Sequence, residues 1–138
     1  MQEVIGSTPL SSTQTPAPPL PAGLFFRMQE LLIGGLSAQA LAAEYGTPIY
    51  VYDAGRIASQ YQGLAAAFAG LEARILYACK ANSNLPILHL LRRAGAGLDA
   101  VSLQEVQLGL RVGYAPEDIL FTPNSVPFSE LAAAVALG

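Results

Sequence analysis

The chain is short of most residues that specialise a surface or a site. Its 138 residues include one cysteine, one histidine, one lysine and no tryptophan. With Cys79 alone, no internal disulfide can form, and a reducing cytosol is the natural compartment. A single cysteine and a single histidine, His89, do not make a zinc constellation. Charged residues are only 12 % of the chain, against roughly a quarter in ordinary domains. So little charge predicts that part of the surface expects cover. A net charge of −3 gives no electrostatic footprint for nucleic acid. No apolar run approaches the ~18 residues that span a bilayer, so no membrane segment is expected.

What is present divides at about residue 23. Residues 1–23 are rich in Ser, Thr and Pro, with no charged segment leading into an apolar one, and read as a disordered tail rather than a secretory signal. From residue 24 the composition becomes that of a globular α/β domain. A strand over 29–33 stops at Gly34-Gly35. Ser37 caps a helix over 38–45 that Gly46 ends. A strand over 47–52 leads to Asp53, read as the cap of a helix reaching about Ala69.

Three strand–helix units follow. Strands over 74–79, 98–101 and 119–122 alternate with helices over 85–94, 103–112 and 128–137. The first two helices stop at Gly95 and Gly113. The alternation predicts βαβ units on a parallel sheet. A doubly wound sheet and a (β/α)8 barrel both fit, and no Gly-x-Gly-x-x-Gly follows a strand to favour a dinucleotide site. Three units leave an unpaired strand edge, so a truncated barrel is the expectation.

Lys80 ends the first of these strands, whereas every other basic residue is an arginine. A primary amine can form a covalent bond to a carbonyl; a guanidinium cannot. Parallel sheets meet their ligands at the carboxyl ends of strands. That rim gathers Lys80, Asn82 and Asn84, then Asp99, Ser102 and Glu105, then Pro123 and Asn124. Plainer roles compete for several of these. Lys80 alone could be a leftover strand-end lysine. Ser102-Leu103-Gln104-Glu105 has the pattern of a capping box, and Asn84 precedes Pro86 as a helix cap would. Asp99 interrupts an apolar strand and needs a partner, for which Lys80 is a candidate. Cys79 reads as a small core residue, and His89 as a surface or satisfied core histidine.

Four segments together resemble the diaminopimelate decarboxylases: Tyr45-Gly46-Thr47-Pro48-Ile49-Tyr50-Val51-Tyr52-Asp53, Tyr77-Ala78-Cys79-Lys80-Ala81-Asn82, Gly97-Leu98-Asp99-Ala100-Val101-Ser102 with Glu105, and Ile119-Leu120-Phe121-Thr122-Pro123-Asn124. They occur in that family's order and spacing from about Gly34 to Gly138. The resemblance implies the start of a (β/α)8 TIM barrel, with the rest of the barrel and a β-sandwich domain further along. It implies pyridoxal 5'-phosphate held covalently by Lys80, with Asp99 and Glu105 carried over as ion-pair partners of that lysine and Asp99 also as a cofactor contact. It also implies a small amino-acid substrate, meso-diaminopimelate, decarboxylated to L-lysine, and a homodimeric full-length enzyme. Ornithine, arginine or carboxynorspermidine decarboxylation is the alternative substrate reading. A catalytically dead decarboxylase-like binding module is the alternative of another class. Relatives commonly carry Asn-Gly-Lys after the third strand; here it is Asn124-Ser125-Val126. The family's phosphate loop and electron-sink carboxylate are expected beyond residue 138, which predicts that these residues alone are inactive.

Overall fold

A computed structural model describes residues 4–7 and 30–138. They fall into two units, residues 1–53 and 54–138. In the first unit, strand β1 (Val4–Ser7) lies inside the stretch expected to be a disordered tail. It pairs antiparallel with β4 (Tyr50–Asp53), Ile5 opposite Tyr52. β-Branched Val4 and Ile5 suit a strand, and the edge of β4 supplies the ladder that the sequence alone does not reveal. The rest of the predicted tail lies outside the described residues.

Gly34-Gly35 closes a two-residue hairpin between β2 (Leu32–Ile33) and β3 (Leu36–Ser37), a shorter strand than the sequence suggested. Ser37 then caps α1 (Ala38–Tyr45), its hydroxyl accepting from the Ala40 N–H at 3.4 Å. The strand predicted over 47–52 begins only at Tyr50 and takes in Asp53. Asp53 ends this strand and immediately precedes the next helix, which begins at Ala54, so it stands at the cap position read from the sequence.

The second unit opens with α2 (Ala54–Ala67). Strands β5 (Leu76–Ala78), β6 (Gly97–Ala100) and β7 (Ile119–Phe121) form a parallel sheet in the order β5-β6-β7. Helices α3 (Leu85–Ala94), α4 (Leu103–Arg111) and α5 (Phe128–Val135) follow the three strands in turn. The alternation read from the sequence is thus realised as parallel βαβ units. β5 and β7 are shorter than predicted, and β6 is shifted one residue earlier, taking in Gly97 and leaving out Val101.

The ends of α3 and α4 show why glycine follows each. Gly95 N–H donates to the Arg92 carbonyl and Ala96 N–H to that of Leu91; Gly113 and Tyr114 do the same to Leu110 and Gly109. This Schellman arrangement needs a left-handed residue, and φ is +99° at Gly95 and +91° at Gly113.

The core lies between the sheet and these two helices. Leu88 of α3, Leu98 of β6 and Cys79 are fully buried and pack with Tyr114. Burial of each leucine contributes about 2 kcal/mol. Gly109 lets α4 close on the sheet, since a Cβ there would meet Leu98 Cδ2 at 2.5 Å and Ile119 Cδ1 at 3.0 Å. Leu98 and Ile119 therefore face the helices, and strand alternation turns Asp99 and Leu120 to the opposite face.

Candidate active site

The carboxyl ends of β5, β6 and β7 define one rim. β5 ends at Ala78, and Cys79–Ala81 turn into one 3-10 turn, so Lys80 stands on that turn rather than in the strand. Cys79 is fully buried while Lys80 is exposed. The turn is tied by its own flanks. Tyr77 donates its hydroxyl to the Asn82 carbonyl at 3.1 Å, and the Asn82 N–H donates to the Cys79 carbonyl at 3.1 Å. Asn82 Oδ1 in turn accepts from the Asn84 N–H at 3.0 Å. Asn84 occupies the N-cap position of α3 but makes no side-chain cap bond, so the local side-chain work falls to Asn82.

After β6 the capping box forms. Ser102 Oγ accepts from the Glu105 N–H at 3.3 Å, and Glu105 Oε2 accepts from the Val101 N–H at 2.8 Å. The carboxylate reaches one residue beyond the cap itself and fastens the chain as it leaves β6. Glu105 also adds to burial in pushing the Cys79 thiol up to about 11, burial being the larger cause.

Asp99 is half-buried in β6, in register with Ala78 on one side and Leu120 on the other. Its Oδ1 accepts a hydrogen bond from the Thr122 hydroxyl. The structure thus brings Lys80, Asp99 and Glu105 to one rim, but among the described residues no ion pair joins Lys80 to either carboxylate. Asn124 is exposed beyond β7, and His89 is exposed on α3. The sequence pattern places Thr122 only at the end of a strand. A threonine two positions along the face from Leu120, directly before a proline, was the signal for it.

A cavity of about 420 Å³ lies at the other end of the strands, with Tyr61, Arg74, Arg92 and Tyr114 in its lining. Its size does not make it the reactive site, because the amine and the rim carboxylates are at the carboxyl ends.

Residues 54–138, the whole of the second unit, match the family described as pyridoxal-dependent decarboxylase, pyridoxal binding domain. The diaminopimelate decarboxylase of Methanothermobacter thermautotrophicus is 47 % identical over 110 residues, which cover 78 % of this chain and 26 % of the relative. A crystal structure of AQ1208 from Aquifex aeolicus superposes with a TM-score of 0.71 at 36 % identity, covering 80 % of this chain and 27 % of that one. Diaminopimelate decarboxylase from Helicobacter pylori, complexed with L-lysine, gives a TM-score of 0.60 at 38 % identity, covering 62 % of this chain and 22 % of that one. The chain spans about a quarter of the length of the curated relatives it matches.

Proposed function

Because the chain belongs to the pyridoxal-dependent decarboxylases, as their pyridoxal-binding domain, we propose that it is the amino-terminal part of a diaminopimelate decarboxylase in which Lys80 holds the cofactor. The observation that carries this reading is the placement of the only lysine. Its amine stands exposed on a turn at the carboxyl end of a parallel sheet, inside Tyr77-Ala78-Cys79-Lys80-Ala81-Asn82. The donor set fits an aldehyde cofactor, which needs an accessible primary amine. When bound, pyridoxal phosphate supplies the aldehyde for that attachment and a ring that takes up the electron pair left when the α-carboxylate departs as carbon dioxide.

The chain's own residues do the holding. The Tyr77–Asn82 bond fixes the turn beneath Lys80, and Cys79 anchors it in the core. Asp99 and Glu105 put negative charge on the rim from which the amine is reached. Diaminopimelate is favoured over ornithine or arginine by the 47 % identity to a diaminopimelate decarboxylase and by a solved relative that holds L-lysine, the product of that reaction. In its full-length form the protein acts as a cytosolic homodimer, a reading that the lone cysteine supports only as to compartment.

Incubation with pyridoxal phosphate followed by borohydride tests the reading. The reduced adduct is expected on the peptide containing Lys80, and modification confined to the terminal amine would sink the assignment. The 138-residue chain alone is expected to release no carbon dioxide above a Lys80→Ala control, since its relatives are about three times as long.

A further inference from the structure

Asp99 is the one carboxylate on the three strands of the sheet. Its two neighbours in register, Ala78 and Leu120, are apolar and give it no polar partner. A half-buried carboxylate in that setting is costly unless a donor reaches it. The donor comes from the diagonal position, the hydroxyl of Thr122.

That hydroxyl is held by three separate constraints. The Thr122 N–H donates to the Ala100 carbonyl at 2.8 Å, adding one rung to the β6–β7 ladder beyond the last residue of β7. Branching at Cβ stiffens the side chain. Pro123 follows, which restricts Thr122 to extended backbone and, having no N–H, donates nothing to continue the ladder. A serine would keep the donor and lose the stiffness; a valine would keep the shape and lose the donor.

We infer that Thr122 is a positioning residue for Asp99. Its bond to Oδ1 fixes the plane of the carboxylate and leaves Oδ2 as the oxygen available to an ammonium at the rim. That ammonium belongs either to Lys80 or to the amino-acid substrate. The inference rests on the cofactor reading above and adds to it a residue that acts through Asp99 without touching the reacting atoms.

The test compares Thr122→Val, Thr122→Ser and Asp99→Asn, singly and combined, in the full-length protein. Two quantities are read: the rate at which pyridoxal phosphate becomes trapped by borohydride on Lys80 without substrate, and the KM for diaminopimelate. Urea midpoints identify any variant that fails to fold, and the serine variant keeps the comparison usable if valine is not tolerated. Loss of one hydrogen bond to a charged group is expected to change the affected quantity about tenfold in the valine variant, with recovery by serine. Slower trapping assigns the ammonium to Lys80; a raised KM with unchanged trapping assigns it to the substrate. In the Asp99→Asn background the valine substitution is expected to add little, as it must if Thr122 works through Asp99. Unchanged trapping and KM in Thr122→Val, or fully additive effects with Asp99→Asn, overturn the inference alone. No adduct on Lys80 in the unaltered protein overturns the cofactor reading and this inference with it.

Discussion

Tyr77 and Asn82, at opposite ends of the segment that carries Lys80, are joined directly: the tyrosine hydroxyl donates to the asparagine carbonyl at 3.1 Å. The bond spans the 3-10 turn, so the amine is mounted on a loop whose two ends cannot drift apart. Tyr77→Phe removes the donor and leaves the carbonyl to other partners. A loss of about 1 kcal/mol in stability is expected from urea denaturation. Slower cofactor trapping at Lys80 should accompany it, because the turn loses a fastening.

Glu105 shows how a structural and a chemical role can be separated. Its Oε2 serves the Val101 N–H at 2.8 Å and its backbone is capped by Ser102. Glu105→Ala removes the acceptor and is expected to cost about 1–3 kcal/mol, whereas Ser102→Ala costs about 1 kcal/mol. Glu105→Gln keeps an oxygen for Val101 and should hold stability within about 0.5 kcal/mol of the parent. Any change in Lys80 trapping in the glutamine variant then reports the lost charge. Denaturation midpoints and trapping rates of the three variants decide it.

Gly109→Ala sets two effects against each other. Alanine favours a helix interior over glycine by about 1 kcal/mol. The added Cβ would meet Leu98 Cδ2 at 2.5 Å, and Leu98 is fully buried with nowhere to move cheaply. Overpacking of this kind costs about 1–3 kcal/mol, so net destabilisation is expected. A raised melting temperature in the alanine variant would show that α4 can shift instead.

Cys79 and Tyr114 make the fold sensitive to alkali. Burial pushes the Cys79 thiol from its ordinary 9.0 up to about 11, with the Glu105 carboxylate adding to the shift. Burial likewise pushes the Tyr114 hydroxyl from 10.0 up to about 12, against a lowering influence from Arg92. Both groups keep their protons longer in the fold than in the unfolded chain. Their contribution is therefore complete below pH 9 and is lost as pH rises through about 11 for the thiol and about 12 for the phenol. Urea midpoints measured across that range should fall, and Cys79→Ala should delay the onset to about pH 10. In the native protein at neutral pH, Cys79 should react with a thiol reagent only as fast as the fold opens.

Helix ends were the most legible part of the sequence. α1 and α3 begin and end where their caps and stop glycines place them, because those signals act within a few residues. Strand ends were less legible: residues 74 and 75 precede β5, and Cys79 leaves it although Ala100, the next position in register, is still in β6. The departure into a 3-10 turn at Cys79 moved Lys80 off the strand while keeping it on the predicted rim. Asn82 rather than Asn84 supplies the side-chain bond at the start of α3, a choice between two nearby asparagines that only geometry decides. The pairing of Asp99 with Thr122 joins residues 23 apart in sequence and depends on the register of β6 with β7. Asp99 announced that it needed a partner; which one was a property of the sheet.

Arg74 grips the far end of that sheet. Its guanidinium donates twice to the Glu117 carbonyl, both at 3.0 Å, and pairs with Asp118 at 2.7 Å, linking the segments that lead into β5 and β7. This buckle stands at the opposite pole from Lys80. The two ends of the same three strands thus carry different chemistry, a guanidinium clasp at one and the primary amine at the other. A protein engineer can vary the Arg74 end in search of a hardier variant while the lysine end is left untouched.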